Sequence, residues 1–122
     1  MVKHAFLALA ALAVAGPAAA QQPVQTIAVH SFSYSPKVIR LAAGKPVTLT
    51  FVNESKDSHD FTAKRFFAHA RVTAGLSTGG EIELKGGQSR SVTLVPAAGR
   101  YPFHCSHFMH KQFGMSGEIL VR

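Results

Sequence analysis

The sequence predicts an all-β protein, a Greek-key β-sandwich of roughly seven or eight short strands. Short runs of β-prone residues recur every eight to twelve residues or so along the chain, and turn-forming residues separate them. A single stretch, residues 64–72 with the sequence KRFFAHARV, favours a helix. We expect this stretch to form a short helix or an irregular excursion from the sandwich.

The first half of the domain contains four predicted strands. They are residues 24–30, 32–35, 38–41 and 47–53. Pro36 ends the second strand, and the turn Ala43-Gly44-Lys45-Pro46 precedes the fourth. In the fourth strand, Val47, Leu49 and Phe51 alternate with polar or smaller residues, so these three side chains are expected to face the core.

The second half repeats this pattern after the polar loop 54–58. Four further strands are predicted at residues 81–84, 91–95, 101–105 and 118–121, and residues 59–61 could start another. The pair Phe66-Phe67, inside the helix-prone stretch, is expected to pack in the core. His30, His69 and His104 are expected to be surface residues or to form local hydrogen bonds.

Residues 1–20 have the layout of a secretory signal peptide. A basic start at Lys3 and His4 precedes an apolar run, Gly16-Pro17 breaks that run, and Ala18-Ala19-Ala20 offers a cleavage site. The apolar run is shorter than the roughly 20 residues of a membrane-spanning helix, so a cleaved signal is favoured over a retained anchor. We therefore predict a periplasmic protein with one domain, residues 21–122, and no membrane span after cleavage.

The chain is basic, with 13 Lys and Arg against 6 Asp and Glu and a formal net charge of +7. Apart from Lys3, the basic residues are spread from Lys37 to Arg122 rather than clustered, and an exported protein rarely meets nucleic acid. Nucleic acid is therefore not expected as a partner. A solvated basic surface is the simplest interpretation, and a partner protein with an acidic surface is the functional one. We expect a monomer.

Cys105 is the single cysteine of the chain. Exported cysteines usually pair in an oxidising compartment, so an unpaired one is expected to have a function. A metal ligand, a reactive thiol, an intermolecular bridge and an inert buried residue are the alternatives that the cysteine alone leaves open.

The segment YPFHCSHFMHKQFGMSGEILV, residues 101–121, favours the metal ligand. Strand alternation points Tyr101, Phe103 and Cys105 to the same side. Four residues separate Cys105 from His110, and four more separate His110 from Met115, so a thiolate, an imidazole and a thioether share one loop. With a second imidazole, from His59, this is the donor set of a blue-copper centre holding one copper ion.

This segment resembles the ligand loop of the cupredoxins, small exported copper proteins. The opening strands, FSYSPKVIRLAAGKPVTLTFVNES, followed by His59, are similar to the strands that deliver the family's first histidine ligand. The resemblance implies a cupredoxin-like sandwich in which His59, Cys105 and His110 are equatorial copper ligands and Met115 is the axial one.

The chain departs from the family pattern inside this loop. Many members have Pro or Gly between the cysteine and the histidine, whereas this chain has Ser-His-Phe-Met, which adds His107 and Met109 as competing donors. His107 is only two residues from Cys105, and His110 is therefore the predicted ligand. Asp60 stands where members often carry Asn, and we expect it to accept a hydrogen bond from the ligand loop near Ser106.

Three functions compete at this point. A one-electron carrier cycling between Cu(I) and Cu(II) is favoured, with a redox partner docking on Phe108 and Met109 if those two side chains are exposed rather than buried. The alternative is a copper-handling protein that binds, buffers or delivers Cu(I) between donor and acceptor proteins. An enzyme with Cys105 as nucleophile is not expected, because the sequence offers no orienting acid nearby and no substrate pocket.

Overall fold

A computed structural model describes residues 1–3, 8–14, 23–75, 77–107 and 109–122. Ten strands and one helix are found in these ranges: β1 Val24–His30, β2 Ser33–Ser35, β3 Val38–Leu41, β4 Val47–Asn53, β5 His59–Thr62, α1 Lys64–His69, β6 Arg71–Ala74, β7 Glu81–Leu84, β8 Ser89–Val95, β9 Gly99–His104 and β10 Ser116–Val121. The predicted cleavage site at Ala18-Ala19-Ala20 lies outside the described residues.

The strands form two five-stranded sheets, which confirms the predicted β-sandwich. The first sheet has the order β2-β1-β4-β8-β6 and the second the order β3-β10-β9-β5-β7. β1 runs parallel to β4, and β10 runs parallel to β3, while the other paired strands are antiparallel. The second sheet contains both β5 and β9, the two strands that lead into the predicted metal site.

The stretch 64–72 is a helix only as far as His69. Phe66 and Phe67 are buried, as predicted, and Phe66 packs edge-on against Tyr101 of β9. Residues 71–74 instead form the edge strand β6, which pairs with β8 through a bulge between Val72 and Ala74. All four residues of β6 are exposed, so this strand contributes no side chain to the buried core.

An aromatic cluster fills the space between the sheets. Val47, Leu49 and Phe51 of β4 face inward as predicted. The ring of Phe61 lies 4.5 Å from that of Phe51 and 4.7 Å from that of Phe103, centroid to centroid. Because Phe61 follows His59 by two residues, and Phe103 precedes Cys105 by two, packing in this cluster fixes where both donors emerge from the core.

None of the described helices has the length and hydropathy that crossing a membrane would require.

Candidate metal centre

The four predicted donors converge at one end of the second sheet. His59 is the first residue of β5, Cys105 directly follows β9, and Met115 directly precedes β10. His110 lies on the connection between β9 and β10, called here the ligand loop (residues 105–115). Pairing of Thr62 with His104 sets the antiparallel register that brings the start of β5 beside the start of this loop.

Two imidazoles and the thiol face one another across short distances. The Nδ1 atom of His110 lies 3.3 Å from the Sγ atom of Cys105 and 3.2 Å from the Nδ1 atom of His59. One donor atom from each of the three residues lies within 4.8 Å of the other two. Two nitrogens bound to a first-row metal ion at about 2.0 Å with a tetrahedral angle lie about 3.3 Å apart. The three residues therefore fit a mononuclear metal site.

The ring of His59 is buried, and its Nδ1 atom faces His110. Its Nε2 atom has no hydrogen-bond partner among the described residues. Burial lowers the pKa of His59, and the neighbouring His110 and His107 lower it further. His59 is thus held neutral at neutral pH, and neutral imidazole is the form that binds metal ions.

Cys105 is buried beside two backbone amides. Burial raises the pKa of its thiol, while the backbone N–H groups of Asp60 and His107 oppose that rise. The N–H of Asp60 donates to Sγ over 3.4 Å. These amides favour the thiolate, which is the form of cysteine that serves as a metal ligand.

Backbone hydrogen bonds close the ligand loop at its base. The N–H of Cys105 donates to the carbonyl of Met115 over 3.1 Å, and the N–H of Met115 donates to the carbonyl of His110 over 3.0 Å. The side chain of Met115 is fully buried. The loop therefore brings the backbones of all three of its predicted donors together, and the ligand role of Met115 stays a prediction.

Asp60 ties the ligand loop to β5, as expected from the sequence. Its buried carboxylate accepts hydrogen bonds from the backbone N–H of Ser106 over 2.9 Å and from the Ser106 hydroxyl. The Thr62 hydroxyl donates to the same carboxylate over 2.8 Å. The hydroxyl of Tyr34 donates to the Asp60 backbone carbonyl over 2.5 Å. Hydrogen bonds therefore hold both the carboxylate and the backbone of Asp60 in place.

The ring of His107 stacks on that of His110, at 5.4 Å between centroids, while its Nε2 atom lies against acidic side chains. Its Nε2 atom lies 3.0 and 3.1 Å from the two carboxylate oxygens of Glu83, and 3.8 Å from Oδ2 of Asp60. Asp60, Cys105 and His107 form a second group whose possible donor atoms lie within 4.8 Å of one another. Glu83 was not singled out in the sequence, because only the pairing of β5 with β7 brings it near the loop.

Exposed apolar side chains lie close to His110. Phe32, Met109 and Phe113, called here the apolar rim, are 44%, 40% and 63% exposed. The ring of Phe32 contacts His110 edge-on at 5.0 Å and Phe113 at 5.6 Å between centroids. Met109 is thus exposed, one of the two alternatives considered above, whereas Phe108 lies outside the described residues.

A cavity of about 290 Å³ opens beside Cys105. It is lined by His104, Cys105, Ser106, His107, Met109, Lys111 and Gln112. His104 is half-buried there, and burial and the nearby Lys111 lower its pKa. As expected, His30 and His69 make local contacts, His30 with Glu54 at 3.4 Å and His69 with the Arg65 carbonyl at 2.7 Å.

Comparisons with known proteins agree with this architecture. A family model described as a cupredoxin-like domain matches residues 3–121, which includes most of the predicted signal peptide. The fold is similar to that of auracyanin B, with a TM-score of 0.61 and 20% identity over 84% of this chain and 92% of that one. It is also similar to a dithionite-reduced auracyanin from the photosynthetic bacterium Roseiflexus castenholzii, with a TM-score of 0.63 and 22% identity over 84% and 98% of the two chains. No curated protein sequence gives a significant match.

Proposed function

Because the chain belongs to the family of cupredoxin-like domains, we propose that it binds one copper ion and serves as a one-electron carrier. The observation that carries the proposal is the cluster of His59, Cys105 and His110, with one possible donor atom each within 4.8 Å of the others. Family membership and this cluster together imply copper as the cofactor. Two imidazoles and a thiolate form the donor set that suits a blue-copper centre.

In this proposal His59, Cys105, His110 and Met115 would hold the copper ion. Bound there, copper would supply a one-electron change between Cu(I) and Cu(II). The chain's own contribution is a set of donor residues that are held in place before the metal binds. The packed aromatic cluster fixes the ends of β5 and β9, and the N–H of Asp60 donates to Sγ, so little rearrangement is needed when the charge at the site changes.

His110 offers the route for the electron between this site and a partner. It is half-buried, and Phe32 of the apolar rim contacts its ring edge-on. Exposed apolar side chains of this kind are typical of surfaces that bind a partner protein. The dithionite-reduced state of the similar auracyanin supports a redox role for the fold.

The cellular location and the partner of the protein are part of the same proposal. Residues 1–20 would direct export and be removed, which leaves a monomeric domain of residues 21–122 in the periplasm. The net charge of the whole chain, +7, would steer an acidic redox partner toward the basic surface. No catalytic reaction is assigned to the chain.

The visible spectrum of the mature protein after addition of Cu(II) tests the proposal. We expect an intense charge-transfer band and a reversible one-electron potential by voltammetry. A matched Cys105→Ser variant should lack the band, because oxygen cannot replace the thiolate in that transition. If the wild-type protein binds no copper, the proposal is wrong.

Copper handling is the second candidate, and the cavity beside Cys105 favours it. His104, His107 and Met109 line this cavity and could exchange with the primary donors during copper transfer. A protein that stays colourless with Cu(II), holds Cu(I) and yields it rapidly to a chelator would support this function over electron transfer.

A further inference from the structure

Two carboxylates lie opposite each other beneath the ligand loop. Asp60 of β5 and Glu83 of β7 are direct partners in the antiparallel pairing of these strands, so their side chains project from the same face of the sheet. Like charges in this arrangement destabilise a sheet. A cationic or hydrogen-bond-donating group placed over the pair would offset that repulsion.

His107 occupies that place. Its Nε2 atom lies within 3.1 Å of both Glu83 oxygens and 3.8 Å from Oδ2 of Asp60. Because a carboxylate only accepts hydrogen bonds, Nε2 carries the hydrogen and donates it to Glu83. The adjacent residue, Ser106, donates to Asp60 through both its backbone and its hydroxyl. Two consecutive loop residues are therefore held by two facing strand residues.

We propose that Asp60, Glu83 and His107 form a carboxylate clamp in which His107 is a positioning residue for the copper ligands. The clamp holds the first part of the ligand loop against β5 and β7. His110 follows His107 by three residues and donates its own N–H to the His107 carbonyl over 3.1 Å, so a fixed His107 sets the position of His110. The role of the clamp at copper rests on the function proposed above, whereas its hold on the loop does not.

This role differs from that of a fifth ligand. A clamped His107 has its Nε2 hydrogen directed at Glu83, so that nitrogen is not free to bind a metal ion while the clamp is closed. Its effect passes through the loop backbone, and loss of the clamp should loosen His110 without removing any donor from the copper.

The test compares four alanine proteins with the wild type: Glu83→Ala, His107→Ala, their double variant, and Glu118→Ala as a control. Glu118→Ala removes the same charge from the same sheet as Glu83→Ala. The ion pair of Glu118 with Arg100, at 3.6 Å, does not involve the loop. Hydrogen exchange of the loop amides of Cys105, His110 and Met115 is measured without copper, and the rate of copper transfer to a chelator is measured with it.

We expect exchange and copper release to become about two- to fivefold faster in Glu83→Ala and His107→Ala, the range that a partly exposed ion pair allows. The double variant should match the single variants, since each breaks the same contact. Glu83→Gln, which keeps a hydrogen-bond acceptor, should be intermediate.

Two results would overturn the clamp: loop exchange in Glu83→Ala equal to that in the Glu118→Ala control, or independent, additive effects in the double variant. If the wild type binds no copper, the proposed function fails, and the exchange measurements still decide whether the clamp exists.

Discussion

At the level of single residues, the two histidines of the ligand loop have different neighbours. His110 faces Cys105 and His59 at 3.3 and 3.2 Å, whereas His107 faces Glu83 at 3.0 Å. The sequence favoured His110 by spacing from Cys105, and the geometry gives a physical reason for that preference. The assignment of His110 as the ligand is still a prediction that substitution can test.

Substituting the two histidines separately should give opposite spectral results. His110→Ala removes one of the two proposed nitrogen donors, so we expect the intense visible band of the copper-loaded protein to be lost or strongly shifted. His107→Ala leaves all four proposed donors in place and should keep the band. Absorption spectra of both variants at equal copper loading provide the measurement, and loss of the band in His107→Ala would show that the ligand assignment is wrong.

Tyr34 makes the stability of the protein depend on pH in the alkaline range. Burial raises the pKa of its hydroxyl far above the ordinary value of 10.0, so the folded state keeps a proton that the unfolded state releases. The contribution of Tyr34 to the free energy of unfolding is therefore complete below pH 10.0. It decreases as the pH rises above that value, by up to about 1.4 kcal/mol per pH unit. Tyr34→Phe should lack this component of the slope. Urea unfolding of both proteins between pH 9 and 11, roughly the range set by that pKa, tests this, and parallel curves would contradict it.

At the level of secondary-structure elements, alternation in the sequence predicted the strands that have one buried face. β4 is the clearest case, since Val47, Leu49 and Phe51 are buried and their neighbours are not. The strand at Tyr101 and Phe103 likewise pointed Cys105 into the core. β6 was missed because it is only four residues long, follows the helix-prone residues directly and buries none of its side chains.

The residues of the candidate site also differ in how far the sequence could indicate them. Cys105, His110 and Met115 are close in sequence, so their spacing could suggest a common site. His59 needed a family resemblance, because a lone histidine at the start of a strand is not informative by itself. Glu83 and Phe32 approach the site only through strand pairing and loop packing, and no local pattern in the sequence indicates their positions.

Asp60 is the residue through which β5 holds the ligand loop. Asp60→Ala would leave the N–H and the hydroxyl of Ser106 without their acceptor, and the Thr62 hydroxyl with only its longer contact to Glu81, at 3.3 Å. We therefore expect the free energy of unfolding to fall by about 2–3 kcal/mol. Copper affinity should fall about 10- to 100-fold, as is usual when a group orienting the ligands is removed. Asp60→Asn keeps an acceptor and serves as the matched control with smaller effects. Chelator competition and urea unfolding measure the two quantities, and unchanged copper affinity in Asp60→Ala would refute this role.

At the level of the whole molecule, the proposed copper site lies at one end of the sandwich, and the apolar rim lies on the surface next to it. Phe113, the most exposed member, contacts Phe32, which in turn contacts His110. Two protein molecules could therefore approach each other through this end with little polar surface to desolvate. Electron exchange between the Cu(I) and Cu(II) forms of the protein itself would report on such an approach without knowledge of the natural partner.

Placing a charge on the apolar rim should slow this self-exchange. Phe113→Lys puts like charges on both copies at the contact, and we expect the rate to fall at least about threefold at low salt and to recover partly at high salt. Val24→Lys is the matched control, because Val24 is similarly exposed, 62%, and lies at the far end of β1 from the loop preceding β2. Line broadening in NMR spectra of partly oxidised samples gives the rate. An equal effect of the two substitutions would argue against contact through the rim.

The position of β10 has a consequence for limited proteolysis. β10 is hydrogen-bonded on one side to β3 and on the other to β9, and the ligand loop that leads into it contains Lys111. A trypsin cut after Lys111 would place Cys105 and His110 on one peptide and Met115 on the other. Both sheet contacts of β10 would remain, so the two peptides should stay associated until denatured. The proposed copper site would then bridge two separate polypeptides, and bound metal would oppose their separation.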